Sequence, residues 1–197
     1  VLASLAAAYQ HPVDIEFTVN RDPDGVAVLN LVQCRPLQTR GVGGSIGVPE
    51  HAPERCVLAS RGNFMGGNVR LPIDQVVWVR PDAYLALGEP DRYAVARRIG
   101  EINRSLEGSA ILIGPGRWGT SMPSLGVPTH FTELNGFVGL FETTYSEGDF
   151  RPELSYGSHF FQELVESGIF YAAVFDDRSE VQFRPELILD LPNQRQR

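Results

Sequence analysis

The stretch Ala110-Ile-Leu-Ile-Gly-Pro-Gly-Arg-Trp-Gly119 limits what this chain can fold into more than any other. Four apolar residues without polar alternation read as a short, fully buried strand. They run straight into a loop with three glycines, a proline, Arg117 and Trp118. Glycine allows positive φ and close approach of a ligand or another chain, and an arginine fork suits phosphate or carboxylate. The spacing Gly114-x-Gly116-x-x-Gly119 matches a dinucleotide fingerprint only on paper. That fingerprint needs a helix opening at the third glycine, and Thr120 to Pro128 carries two prolines and a glycine instead. A Walker lysine is also missing. Two readings stay open. One is an anion-binding loop formed by Gly114, Gly116, Arg117 and Gly119. The other is a tight structural loop in which Trp118 packs and Arg117 pairs with an acid.

A core around such a strand is well within reach of 197 residues that are 43% hydrophobic and 21% charged. The net charge of −7 and pI near 5.1, with no basic run, argue against a nucleic-acid surface. Cys34 and Cys56 have neither metal nor CxxC spacing and read as reduced thiols of a cytoplasmic protein. The longest apolar run is too short for a membrane span. Val1 to Ala8 is apolar but lacks the basic flank of a signal peptide, and the first residue is not Met. The chain is therefore expected to begin within a longer protein.

Val1 to Gln10 reads as the end of a helix stopped by Pro12. Val13 to Val19 alternates as a strand, Asn20 to Gly25 is a turn cluster, and Val26 to Arg35 is a second strand ended by Pro36. Regular alternation sets Asp14, Glu16 and Thr18 on one face of the first strand. It sets Leu31, Gln33 and Arg35 together on the second. Asp14-Ile-Glu-Phe17 followed by Leu31-Val-Gln-Cys-Arg-Pro36 resembles the last two strands of the ATP-grasp nucleotide-binding domain of pyruvate phosphate dikinase and phosphoenolpyruvate synthase. The resemblance covers about the first forty residues. It implies that Glu16 helps hold Mg²⁺ and the phosphates of ATP, and that Gln33 and Arg35 point into the same site. The family's phosphate-gripping lobe would lie upstream. The bland alternative is a solvent-facing hairpin with a cross-strand Glu–Arg pair worth well under about 1 kcal/mol.

Gln38 to Pro53, with four glycines and two prolines, reads as a linker, so a domain boundary is expected at 41–53. Beyond it, Gly66-Gly67-Asn68, Gly114 to Gly119, Leu125 to Pro128 and Gly157-Ser-His-Phe-Phe-Gln162 resemble the C-terminal region of large bacterial phosphoenolpyruvate/pyruvate-binding or synthase-like proteins. Arg55 to Ser60, Gln75 to Val79, Gly136 to Glu142, Ile169 to Phe175 and Leu187 to Leu191 read as strands. Asp91 to Glu107 is the best helix, with Val95, Ile99, Ile102 and Leu106 on one stripe. A second helix follows Ser158 as N-cap, with Phe161, Leu164 and Val165 inward and Gly168 at its end. His159 in its first turn is the candidate catalytic residue, as a phosphate acceptor or acid–base group. The competing role is a histidine that fixes the loop by hydrogen bonds. His11, His51 and His130 show no ligand spacing, so no zinc site is expected.

The fold class expected is α/β, mixed, with α+β as the variant: the C-terminal hairpin of an ATP-grasp domain (1–40), a linker, and a separate mixed α/β domain (54–197). The function expected is part of an ATP-dependent, dikinase-like phosphotransferase using Mg²⁺ and ATP in the full-length protein. Its partners would be a nucleotide, a small phosphorylated or carboxylate ligand and the upstream lobe, with no nucleic acid and no membrane. The alternative is a non-catalytic anion- or partner-binding module appended to an ATP-grasp protein.

Overall fold

The structure is a computed structural model that describes residues 1–36, 46–47, 50, 53–144, 153–156, 158–175 and 178–193. The chain divides into two compact units, Val1–Thr39 and Arg40–Arg197. Most of the expected linker 41–53, and residues 145–152, lie outside the described residues.

The first unit begins with helix α1, Leu2–Tyr9, which Gln10 closes in the left-handed conformation at φ 51. Strands β1, Val13–Arg21, and β2, Ala27–Pro36, pair antiparallel around a turn built by Asp22. The Asp22 carboxylate accepts from the amides of Asp24 and Val26, the local mimicry that makes aspartate a turn former. The register corrects the sequence reading at one point. Glu16 stands opposite Gln33, but Phe17 stands opposite Leu31, so Val32 is an extra residue in the ladder. Cross-strand partners share a face. The bulge therefore moves Leu31 away from Gln33 and Arg35 and onto the side of Phe17. One face collects Asp14, Glu16, Thr18, Asn30, Gln33 and Arg35. The other collects Val13, Ile15, Phe17, Val19, Leu29, Leu31 and Cys34. Among the described residues of this unit Val13 alone is buried.

The second unit opens with a 3₁₀ turn, Pro53–Arg55, then β3 (Leu58–Ser60), β4 (Phe64–Met65) and β5 (Gln75–Trp78). Helices α2 (Pro81–Leu85) and α3 (Glu89–Arg104) lead to β6 (Ala110–Pro115). Pro81 opens α2 from a first-turn position where its missing N–H costs nothing. A 3₁₀ turn, Phe131–Glu133, precedes β7 (Gly139–Thr143), and then come α4 (His159–Glu166), β8 (Phe170–Val174), β9 (Val181–Phe183) and α5 (Glu186–Leu189). The main sheet runs β4-β8-β7-β6-β5, with β5 to β8 mutually parallel and β4 antiparallel at the edge. A separate two-stranded sheet pairs β3 with β9. The unit is mixed α/β.

Parallel strands are covered on their faces by their own crossovers, which is why β6 needs no alternation. Leu112, Leu140 and Tyr171 stand side by side on one face and pack with Ala96 and Ile99 of α3 and with Phe160 and Leu164 of α4. The α3 stripe holds for Val95, Ile99 and Ile102, but the helix ends at Arg104, so Leu106 packs on the same core from just beyond it. On α4 the inward residues are Phe160 and Leu164, one turn apart, while Phe161 is only half-buried against the rings of Tyr156 and Tyr171. Leu187 to Leu191, expected as a strand, is instead entered by α5. Pro185 at φ −63 presets the helical turn, and the run has no period of two. The strand position belongs to Val181–Phe183, which pairs with β3.

Candidate functional site

The polar face of the hairpin is the first candidate. Glu16 lies directly across from Gln33, and two residues along Asp14 lies across from Arg35. The Arg35 Nε donates to Asp14 Oδ2 at 3.2 Å, with the two side chains 32% and 37% exposed. Thus the structure brings Glu16, Gln33 and Arg35 together on one face, held by main-chain pairing, and adds Asp14 as the arginine's partner. Among the described residues no group of three His, Cys, Asp or Glu side chains gathers as a metal cage. Mg²⁺ commonly takes only one or two carboxylates and completes its shell with water and substrate phosphates. Glu16, with Asp14 on the same face, fits that mode of binding.

The second candidate lies at the carboxyl ends of β5 to β8, where loops of an open parallel sheet assemble into sites. Here the glycine loop is folded onto the protein itself. Gly116 donates to the carbonyl of Thr143 at 2.9 Å, and Arg117 to that of Leu125 at 3.1 Å. Trp118 donates to Glu142 Oε1 at 2.9 Å, and Gly119 to Thr129 Oγ1 at 3.3 Å. Four successive amides that could cradle an anion are already engaged. The glycines are likewise needed for packing. A Cβ on Gly114 would meet the indole of Trp118, one on Gly116 the carbonyl of Leu125, and one on Gly119 the ring of Phe160. Gly116 and Gly119 also sit at φ 66 and 68, where L side chains are strained. Arg117 reaches Glu153 with Nη1 at 3.0 Å, and its buried Nε has no hydrogen-bond partner among the described residues. Of the loop's groups, this arginine has hydrogen-bonding capacity to spare.

Beneath the loop is a feature that the sequence reading missed. Glu142, at the end of β7, is 0% exposed. Its Oε1 accepts from the amide of Trp118 at 2.9 Å and lies 2.5 Å from Ser155 Oγ. Its Oε2 accepts from the amide of Ser155 at 2.7 Å and from the Tyr171 hydroxyl at 2.6 Å. Among the described residues no arginine or histidine forms an ion pair with it. Burial pushes the Glu142 carboxyl up to about 7, and the four donors offset only part of that cost. Tyr171 is raised well above the ordinary phenol, first by burial and then by the carboxylate beside it. The one signal available in sequence was a glutamate closing an otherwise apolar strand, with a serine and a tyrosine far along the chain.

His159 is the first residue of α4, and its side chain is exposed. At that helix start the Ser158 hydroxyl accepts from the amide of Phe161 and donates to the carbonyl of Ser155. The structure does not bring His159 and Arg117 into a shared hydrogen-bonded group among the described residues. No family model matches the chain, and no curated protein or solved structure matches it either. Among the described residues no helix is long and apolar enough to cross a membrane.

Proposed function

We propose that this chain is part of an ATP-dependent, dikinase-like phosphotransferase, in which the hairpin forms one wall of a Mg-nucleotide site. The observation that carries the reading is the register itself: Glu16 faces Gln33 and Asp14 faces Arg35 on a single polar face. Mg²⁺ would bring neutralising charge to the nucleotide phosphates, with Glu16 supplying a carboxylate oxygen. Gln33 offers an amide on the same face, which can donate to a phosphate or ribose oxygen. Arg35 is preset by Asp14, and its guanidinium is suited to an anion approaching that face. The apolar face of the hairpin, with Phe17 50% and Val19 57% exposed, is the side from which the rest of a nucleotide lobe would support it.

The test is a titration of the isotope-labelled protein with Mg-ATP, followed by amide shifts. Glu16, Gln33 and Arg35 should move in a Mg-dependent way, while Leu29 and Leu31 stay in place. Glu16→Gln should abolish the Mg dependence. An unchanged spectrum at millimolar Mg-ATP, or shifts confined to the second unit, would sink the reading.

A second reading, a non-catalytic module that binds an anion or a partner, rests on Arg117, whose Nε has no hydrogen-bond partner among the described residues. The engaged amides of Gly116 to Gly119 mean that such binding would depend on the guanidinium, with Glu153 displaced. Chloride-competed phosphate titration of Arg117→Ala against the parent separates this reading from the first.

A further inference from the structure

We propose that Glu142 and Ser155 form a protonation-controlled latch that sets how tightly the Gly114–Gly119 loop is held to the end of the sheet. The inference goes beyond the hairpin reading and does not depend on it. It rests on one proton with two acceptors. Ser155 Oγ lies 2.5 Å from Glu142 Oε1 and 3.2 Å from the carbonyl oxygen of Trp118, and both residues are fully buried. A hydroxyl donates to one acceptor at a time.

When Glu142 carries a proton, its O–H donates to Ser155 Oγ, and the serine hydroxyl is free to donate onward to Trp118. The loop is then tied through an unbroken relay. When Glu142 is ionised, the serine turns its proton to the carboxylate and the buried Trp118 carbonyl loses this donor. An unsatisfied buried carbonyl and an unneutralised buried charge act in the same direction, loosening the loop as pH rises. The proton leaves to solvent, so no other reactant is involved.

The groups facing this carboxyl come from three further segments. Tyr171 projects from β8 and hydrogen-bonds Oε2, and Tyr156 stacks edge-on against Tyr171 at 5.3 Å. Arg117 adjoins Trp118 and Glu153 lies two residues before Ser155, but the two pair with each other. Burial raises both tyrosines above the ordinary phenol, away from neutral pH. The latch thus reports on Glu142.

Hydrogen exchange of the whole chain tests the proposal, read as protection factors so that the intrinsic pH dependence cancels. Between about pH 5.5 and pH 8, protection at Gly116 to Gly119 and at Ser155 should fall about tenfold while staying below that of Leu112, which opens only with the whole fold. Ser155→Ala leaves the carboxyl in place but removes the relay, and should leave only the weaker dependence that the buried charge imposes by itself. Tyr171→Phe removes one donor from the carboxylate and should move the midpoint upward. Glu142→Gln serves as the pH-independent reference if it folds, and Ser155→Ala suffices if it does not. An unchanged pH response in Ser155→Ala, or none in the parent protein, would overturn the latch.

Discussion

The indole of Trp118 occupies the space where a side chain on Gly114 would begin, with Cζ2 and Cη2 2.6 Å from that position. Four residues apart, the two form a closed contact that fixes the loop over the strand end. Trp118 is 0% exposed, and its Nε1 reaches the carbonyl of Phe141 at 3.4 Å.

Gly114→Ala should therefore destabilise the protein by about 1–3 kcal/mol, because a buried ring cannot yield without moving its neighbours. Trp118→Phe shortens the ring and should relieve part of that strain. In urea unfolding the double variant should cost less than the sum of the two single ones. Strict additivity would mean that the contact does not constrain the loop.

The Arg117–Glu153 pair should contribute little to stability. Glu153 is 56% exposed, and an ion pair open to solvent on one side is worth about 0–1 kcal/mol. Arg117→Ala and Glu153→Ala should each move the melting temperature by no more than a few degrees, with the coupling fading at high salt. A larger loss in Arg117→Ala than in Glu153→Ala would point to the packing of the arginine stem.

Glu142 predicts the sign of a pH effect on the fold. Its folded carboxyl is raised to about 7 against an ordinary value of 4.5, so between those values the native state binds more protons than the unfolded one. Its contribution is fully present below about pH 4.5 and is lost as pH rises through 7, with a span on the order of 3 kcal/mol. Urea midpoints measured from about pH 5 to pH 8 should fall with pH in the parent, and much less in Glu142→Gln. That substitution puts an NH₂ group where a carboxylate oxygen accepts, leaving one of the surrounding donors, such as the backbone N–H of Ser155, without an acceptor. The variant should therefore start about 1–3 kcal/mol lower.

Deleting Val32 should leave the hairpin's two faces intact. The bulge means that Glu16–Gln33 and Phe17–Leu31 are already partners on either side of it. Removing the extra residue keeps both pairs and only reduces the local twist. Cross-strand nuclear Overhauser contacts between Phe17 and Leu31 should persist. If the ladder were regular through Val32, the deletion would turn Ala27 to Leu31 over and those contacts would vanish.

The elements that the sequence revealed are those whose signal is local. The apolar run of β6, the stripe of Val95, Ile99, Ile102 and Leu106, and the Ser158 cap each lie within one stretch of chain, where periodicity and capping chemistry operate. What it concealed depends on partners that no local pattern names. Alternation puts Leu31 on the wrong face because it assumes an uninterrupted ladder, and only the opposing strand reveals the extra Val32. Glu142 stands next to last in β7, where a charge would be expected to meet water. Its burial follows from the convergence of Trp118, Ser155 and Tyr171, none of them near it in sequence. The role of the loop is ambiguous in sequence for the same reason. Whether its amides are available is decided by Thr143, Leu125, Glu142 and Thr129, and these take all four.

The sheet order also dictates a sequence of events during synthesis. Strands β5, β6, β7 and β8 emerge from the ribosome in the order in which they pair, so each can dock on the one before it. Strands β3 and β4 emerge first, yet their partners β9 and β8 arrive roughly a hundred residues later. The beginning of the second unit must therefore wait, unpaired, for its end. Its last folding step joins the two extremities, and a chain interrupted before Phe170 would leave the edge of β7 open to a neighbour.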